Sequence, residues 1–168
     1  MESQNLTPSF SQLVAQPTDV DGLALLEALI NDAVLAGASD IHVDALSKAY
    51  RVRLRIDGSL ADASMVERIA GEQLIRAFEV GAQIDSATSR LALDGRMATE
   101  VNGVAQEIRV ASAPGMMGKK ITARILSSNA FGFDLSNIGL ADASETVREA
   151  LNAGNGLILV SAVLDRNR

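Results

Sequence analysis

The amino-acid sequence predicts an α+β fold in which a small mixed or antiparallel sheet carries helices packed mainly on one face. Apolar residues alternate with charged ones at a period of two in residues 38–45 and 50–57, which is typical of half-buried strands. The pair Asn102–Gly103 lies between two more alternating stretches, as in a two-residue hairpin. Apolar residues at helical spacing fill residues 23–34, which indicates an amphipathic helix packed on the first strands.

The bulk composition limits the classes of protein that the chain can represent. Its 168 residues suit one domain, or one domain with a fragment of another. The net charge of −6 argues against a nucleic-acid binder, which would present a basic surface. With no cysteine, the chain forms no disulfide and no thiolate metal site. No apolar run reaches the roughly 20 residues that span a bilayer, and no secretory signal is present. We therefore expect a cytoplasmic protein.

The N-terminal region predicts a flexible arm followed by a helix. Residues 1–17 are polar, contain two prolines and show no periodicity, so we expect an arm that only docking would order. Asp19 or Asp21 can cap the helix that follows, and Gly37 ends it.

The strands at residues 38–45 and 50–57 form a predicted hairpin with a charged outward face. That face carries acids and a histidine on one strand and arginines on the other: Asp40, His42, Asp44, Arg51, Arg53 and Arg55. Acids opposite bases stabilise a strand pair by about 0.2–1 kcal/mol each. His42 and its neighbouring acids make a poor metal site, because side chains two residues apart on a strand lie about 6.5–7 Å apart.

The register of the Asn102–Gly103 turn predicts where three arginines lie on the sheet. The turn pairs residue 96 with 109, 97 with 108 and 99 with 106, so Arg96 and Arg109 lie opposite each other on the outward face. A third strand at residues 120–126 brings Arg124 to the same face if it pairs antiparallel with the second strand of this hairpin.

The remaining segments predict two more helices and a buried strand. A polar link after Gly58 leads to a helix at residues 66–80. A linker follows the last strand of the sheet, and Asp142 or Ser144 can cap another helix. The continuous apolar run of residues 156–160 is typical of a strand buried on both faces of a parallel sheet.

Two stretches of the sequence resemble one family. Ser39–His42 followed by Arg51–Gly58, and the block of residues 107–126, are similar to the N-terminal domain of the type II secretion and type IV pilus assembly ATPases. Leu93–Arg96 stands where that family has Gln-Asp-Gly-Arg. The resemblance covers roughly residues 20–160.

The resemblance implies a division of the chain into three parts. The flexible arm at residues 1–17 precedes a PAS-like N-terminal domain at residues 18–128. Residues 129–168 then hold a linker and the first helix and strand of a truncated RecA-like ATPase core.

The resemblance also implies a role for the outward arginines. In the family, the arginines that match Arg109 and Arg124 reach the phosphates of ATP bound to the neighbouring ATPase core, as an arginine finger does. Arg96 is a weaker third contact. The alternative is that all three are surface arginines paired with neighbouring acids: Asp94, Glu100 and Glu107.

The ATP-binding loop of the family is not found in this sequence. In the family the strand at residues 156–160 runs into a P-loop, whose amides cradle phosphates and whose Lys and Ser/Thr serve the phosphates and Mg²⁺. Residues 161–168 contain neither Gly nor Lys. We therefore expect no hydrolysis and no bound cofactor for this chain alone, with ATP and Mg²⁺ implied only beside a complete core.

The function that the resemblance implies is a regulatory and assembly domain of a secretion or pilus ATPase, contributing arginines to ATP on a neighbouring core. Its partners would be proteins of that machine, in a hexameric ATPase, and it would reach the inner membrane only through them. One alternative is an interaction module of the machine with no nucleotide role. Another is a PAS-like small-molecule sensor, which the 3% aromatic content disfavours because such a sensor needs an apolar pocket.

Overall fold

A six-stranded antiparallel sheet organises the first part of the chain, and helices cover one of its faces. The computed structural model describes residues 9–15, 21–85, 91–127, 144–159 and 161. The strands are β1 Ala38–Ala45, β2 Ala49–Ile56, β3 Ser59–Glu67, β4 Leu93–Val101, β5 Val104–Ala113 and β6 Lys120–Ser127. The helices are α1 Phe10–Val14, α2 Gly22–Leu35, α3 Arg68–Gly81 and α4 Ser144–Asn152. This architecture confirms the predicted α+β class.

The strand order across the sheet is β3-β2-β1-β6-β5-β4, with every neighbouring pair antiparallel. The chain divides into two units, residues 1–127 and 128–168, and the whole sheet lies in the first. Because β1 and β6 are central partners, the two hairpin regions of the sequence meet along that seam.

The core lies between the sheet and the helices α2 and α3. Alternate residues of the strands point into it, and each is almost completely buried: Ile41, Val43, Val52, Ile108, Val110, Ile121 and Ala123. Facing them are the apolar sides of the helices: Leu25, Leu26, Leu29, Leu74 and Phe78. Burial of each of these side chains except the small Ala123 stabilises the fold by roughly 1.5–3 kcal/mol. The opposite face of the sheet is left to the charged residues.

The cap of α2 follows the sequence prediction. The Asp21 carboxylate accepts a hydrogen bond of 3.1 Å from the backbone N–H of Leu23, which otherwise has no partner within the helix. The helix ends at Leu35, and Gly37 has a φ of +69°, a conformation that glycine adopts without a Cβ clash.

The Asn102–Gly103 turn has the geometry predicted for it. Asn102 and Gly103 have φ values of +52° and +77°, and the register pairs 96 with 109, 97 with 108 and 99 with 106. The strand β6 pairs antiparallel with β5, as the three-arginine prediction required.

A buried carboxylate on α3 ties the helix to the sheet. Glu79 is 6% exposed. Its Oε1 accepts hydrogen bonds from Ser112 Oγ at 2.7 Å and from Lys119 Nζ at 2.9 Å. This contact ties the loop that leads into β6 to helix α3. The Lys119 ammonium group therefore lies on the face of the sheet that the helices cover.

The prediction of a flexible arm at residues 1–17 is wrong for residues 9–15. There the chain forms α1, whose Phe10 is 3% exposed and donates its N–H to Asp32 Oδ2 of α2 at 2.9 Å. Ser9 and Gln12 form a capping-box contact, in which the Ser9 N–H donates to Gln12 Oε1 at 3.1 Å. A helix of five residues is too short for its periodicity to be detected. Residues 1–8 and 16–17 lie outside the described residues.

The polar link predicted after Gly58 is also wrong, because residues 59–67 form the strand β3. This strand lies at an edge of the sheet, and most of its side chains are exposed, so it lacks the alternation of a half-buried strand. Asp57 and Gly58 have φ values of +48° and +78°, the conformation of a type I′ turn. The Asp-Gly pair was therefore an available signal for this hairpin.

The C-terminal segment confirms one prediction and corrects another. Residues 144–152 form α4, but residues 156–159 form no strand, and Leu157 and Leu159 are 88% and 84% exposed. A strand needs a neighbouring strand to accept its hydrogen bonds, and none pairs with these residues within the described part of the chain. Val160 and residues 128–143, where the predicted linker lies, are outside the described residues. Among the described residues, no helix is both long and apolar enough to cross a bilayer.

Candidate anion site on the outward face of the sheet

A row of charged residues crosses the outward face of the sheet at one level. The backbone register sets five of them side by side, in the order Arg55, Asp40, Arg124, Arg109 and Arg96. Side chains that are directly opposite in antiparallel strands lie on the same face. The structure therefore brings together Arg96, Arg109 and Arg124, the three arginines that the sequence singled out.

The three arginines line one shallow cavity. It has a volume of about 460 Å³, and Asp40, Asp94 and Thr122 also line it. The next row of the sheet contributes small side chains there, since Thr122 is paired with Ala111 and Ala111 with Asp94. Because these side chains are short, the guanidinium groups stand around an open depression of the sheet.

The three guanidinium groups differ in their partners. Arg124 donates from Nε to Asp40 Oδ1 at 2.9 Å, and Arg96 Nη1 lies 3.5 Å from Glu107 Oε1. Arg109 lies between them on β5 and has no hydrogen bond or ion pair within the part of the chain that the structure describes. Of the acids proposed as partners in the surface-pair alternative, only Glu107 is used; Asp94 and Glu100 form no such pair with these arginines among the described residues.

Asp40 is the buried carboxylate at one side of the cavity. It is 4% exposed. Its Oδ2 accepts a hydrogen bond of 2.8 Å from Ser39 Oγ and lies 3.5 Å from Arg55 Nε. Burial raises the pKa of Asp40, but the hydrogen bonds from Arg124 and Ser39 and the charge of Arg124 outweigh it, so the pKa lies below its ordinary value. Asp40 is therefore an anion at neutral pH.

A second cluster lies on the same face, away from the cavity. The Asp44 carboxylate lies 2.7 Å from Arg53 Nη2 and 3.2 Å from Lys120 Nζ. Burial raises the pKa of Asp44, while the hydrogen bonds and charges of these two bases lower it by more. The two aspartates of β1 thus have the same kind of environment, but only Asp40 contacts an arginine of the cavity.

His42 lies between the two aspartates on β1. Burial lowers its pKa, and the charges of Asp40 and Asp44 raise it by less, so the pKa lies below its ordinary value. Its Nε2 is buried and has no hydrogen-bond partner among the described residues. His42 is therefore neutral at pH 7, and it adds no charge between the two ion-pair clusters.

The contact between Asp40 and Arg124 was missed by the sequence reasoning. Each residue was assigned to the outward face of its own strand, but the pairing of β1 with β6 joins residues 84 positions apart. Periodicity carries no information about such pairing. The charge alternation in both strands was the only signal, and it is shared by every outward position of the sheet.

Comparison with known proteins gives a consistent assignment. The family described as "Type II/IV secretion system protein" matches residues 20–163. The type II secretion system ATPase E of Vibrio cholerae is 30% identical over 155 residues, which cover 92% of this chain and 31% of that protein. The protein transport protein HofB homolog of Escherichia coli is 34% identical over 138 residues, covering 82% of this chain and 30% of that protein.

A solved structure is also similar. The Legionella pneumophila ATPase DotB matches with a TM-score of 0.49 and 15% identity, covering 81% of this chain and 36% of that one. The chain spans about a third of the length of the curated relatives it matches. Since the family model matches residues 20–163, most of its length, this chain belongs to the type II/IV secretion system protein family.

Proposed function

We propose that this chain is the N-terminal regulatory and assembly domain of a type II secretion or type IV pilus assembly ATPase, and that its outward arginines contact ATP on a neighbouring ATPase core. The observation that carries the proposal is the row Arg124, Arg109 and Arg96, in which Arg109 has no carboxylate partner among the described residues. The membership of the chain in the secretion-protein family supports it.

The electrostatics of the row favour an anion in the cavity. Adjacent strands lie about 4.7–4.9 Å apart, and like charges directly opposite each other destabilise a strand pair. Glu107 lies beside Arg96, and Asp40 is shared between Arg124 and Arg55. Arg109 has no ion pair among the described residues, and Asp94 lines the cavity without forming an ion pair with any of the three arginines. An anion bound there would relieve the repulsion, and phosphate oxygens match the donor fork of arginine.

The chemistry proposed for the chain is charge stabilisation without hydrolysis. Phosphoryl transfer is accelerated by cations placed on the phosphates, and an arginine supplied from a neighbouring protein can do this. The sequence contains no P-loop to bind ATP and Mg²⁺ itself, so we propose that both are held by an ATPase core outside residues 1–168. The partners would be the proteins of a hexameric secretion or pilus ATPase in the cytoplasm, reaching the inner membrane only through other proteins.

The experiment replaces the arginines in a full-length relative, such as the type II secretion system ATPase E of Vibrio cholerae. The residues that align with Arg109 and Arg124 are changed to alanine, and the steady-state ATPase rate of the purified oligomer is measured. We expect a loss of rate on the order of 10³-fold, the size of an arginine-finger effect.

The matched control changes the residue that aligns with Arg51. In this chain Arg51 lies on the same face, three strands from Arg109, in an exposed contact of 4.0 Å with Asp62. Its replacement by alanine removes one positive charge, as each of the two arginine replacements does singly, and exposed pairs of this kind contribute little. An ATPase rate that is unchanged by the double replacement would contradict the nucleotide role and favour an interaction module instead.

A further inference from the structure

Asp40 holds Arg124 in a fixed orientation at the edge of the cavity. Both oxygens of the carboxylate are engaged, Oδ1 by Arg124 Nε at 2.9 Å and Oδ2 by Ser39 Oγ at 2.8 Å. The Asp40 side chain is 6% exposed, so its position is set by the surrounding sheet. A hydrogen bond to Nε fixes the plane of a guanidinium group and leaves its two terminal NH₂ groups available.

Those terminal groups of Arg124 have no partner within the described residues. The side chain of Arg124 is 66% exposed and lines the cavity with Arg109, which is its direct partner in the register. The only group that binds the Arg124 side chain among the described residues is Asp40. Without that contact, a long arginine side chain on a sheet surface would populate several rotamers, and ordering it on binding an anion would cost conformational entropy.

We infer that Asp40 is a positioning residue for Arg124, and that its carboxylate strengthens the binding of polyphosphate at the cavity although it carries the same sign of charge as the ligand. The inference rests on the proposed function, because it concerns the same arginines. It adds a residue that touches no phosphate and acts only through the orientation of Arg124.

Two effects of Asp40 have opposite signs, which makes the inference testable. As a charge, Asp40 repels an anion, so its neutralisation would tighten binding, up to about fivefold for a partly screened charge. As a positioning group, Asp40 preorganises Arg124, so its neutralisation would weaken binding by about threefold to tenfold. The sign of the change in affinity therefore distinguishes the two roles.

Asp44 provides a matched control for the charge effect. It lies on the same strand and the same face, and it is likewise paired with two bases, Arg53 and Lys120. It does not contact any arginine of the cavity. The replacements Asp40→Asn and Asp44→Asn thus remove the same charge. Only the first weakens the hydrogen bond that orients Arg124, because a neutral amide oxygen then accepts from Nε in place of a carboxylate.

The experiment titrates the 168-residue chain with inorganic triphosphate and follows the arginine Nε–H and backbone amide resonances by NMR. The proteins are the wild type, Asp40→Asn, Asp44→Asn, Arg124→Ala and the double variant Asp40→Asn/Arg124→Ala. We expect Asp40→Asn to weaken binding by about threefold to tenfold, and Asp44→Asn to leave it unchanged or tighten it. The double variant should bind no more weakly than Arg124→Ala, because Asp40 acts only through that residue.

The outcomes separate the two proposals. If triphosphate does not bind the wild type, or if Arg124→Ala leaves binding unchanged, the phosphate role and the inference are both wrong. If Arg124→Ala weakens binding while Asp40→Asn leaves it unchanged or tightens it, only the inference is overturned. A further loss in the double variant overturns it as well.

A second variant decides the matter if Asp40→Asn does not fold, which its circular dichroism spectrum would show. Ser39→Ala removes the hydrogen bond to Asp40 Oδ2 at an exposed position and keeps the charge of Asp40. Weaker binding of triphosphate by Ser39→Ala supports the inference, since the charge is unchanged and only the positioning is loosened. Unchanged binding by this variant overturns it.

Discussion

The residues of the outward face couple protonation to folding in two separate pH ranges. Asp40 and Asp44 have lowered pKa values in the folded chain, so their contribution to stability is present above the unfolded value of about 3.9 and is lost as the pH falls through the folded values. His42 also has a lowered pKa, so the unfolded chain binds its proton at a higher pH than the folded chain does. Titration of His42 therefore lowers the free energy of unfolding as the pH decreases below about 6.5. Above that pH, His42 contributes no pH dependence to the stability.

We predict that His42→Gln flattens the pH dependence of stability just below pH 6.5. The chain has one histidine, so the side chain of His42 is the only imidazole that can titrate there. The wild type should lose at most about 1.4 kcal/mol per pH unit from this group in that range. Urea unfolding at pH 5 to 8 measures it. Equal slopes for the wild type and His42→Gln would show that the half-buried imidazole does not resist protonation.

The candidate site could be predicted at the residue scale only as far as local pattern reaches. The register of a two-residue turn assigned Arg96 and Arg109 to adjacent positions on one face, because the turn type fixes which residues are opposite. Two features of the site depend on neighbours from other strands: the burial of Asp40, and the lack of an ion pair at Arg109 among the described residues. Those neighbours follow from the β1–β6 pairing, which no local pattern specifies.

At the scale of elements, the packing of α3 against the sheet depends on a close approach at Gly71. A Cβ built at this position would lie 2.2 Å from Tyr50 Cδ2 and 2.6 Å from Tyr50 Cγ. The Tyr50 ring is 2% exposed and cannot move aside without disturbing β2. The helix and strand therefore meet at a distance that only glycine permits.

We predict that Gly71→Ala destabilises the chain by about 1–3 kcal/mol, because an added methyl group in a well-packed contact forces the helix and the strand apart. Gly81→Ala, near the end of the same helix, is the matched control: its Cβ would lie 3.3 Å from the flexible end of Met97, and alanine favours helix formation. Thermal and urea unfolding of both variants test this. Equal stability of the two variants would show that the contact between Gly71 and Tyr50 does not set the distance between α3 and β2.

The elements that the sequence predicted are those with a clear apolar period. The strands β1, β2, β4 and β5 alternate because one face is buried, and α2 and α3 show helical spacing for the same reason. The strand β3 and the helix α1 were missed because one is an exposed edge and the other is a single short turn. In both cases a local signal was present, at Asp57–Gly58 and at Ser9–Gln12, and turn and cap residues identified elements that periodicity did not.

At the scale of the whole molecule, the sheet is complete within the first unit. The largest fully buried side chains of the described residues lie between Leu25 and Ile121, and all six strands of the sheet end by residue 127. The apolar run Leu157–Leu159 was predicted to be a buried strand because a parallel sheet favours such a run. The run has the apolar composition of a buried strand. A strand also needs neighbouring strands to pair with, and the composition of a segment does not show whether such neighbours exist.

We predict that the backbone amides of residues 157–159 exchange with solvent faster than those of Val52–Ile56, by a factor on the order of 10³ or more. The β2 amides lie in a ladder with strands on both sides, and Val52 is completely buried, so their exchange requires extensive unfolding. Leu157 and Leu159 are exposed and belong to no ladder among the described residues. Hydrogen exchange of the 168-residue chain, measured in dilute solution, provides the test.

The concentration dependence of that exchange distinguishes two ways in which the prediction could fail. An exposed apolar segment is a site for pairing with another chain, so protection of residues 157–159 that increases with protein concentration would indicate association. Protection that is independent of concentration and equal to that of Val52–Ile56 would show that the segment forms a stable strand within one chain. Rapid exchange at every concentration is the result expected for a segment that pairs with no strand among the described residues.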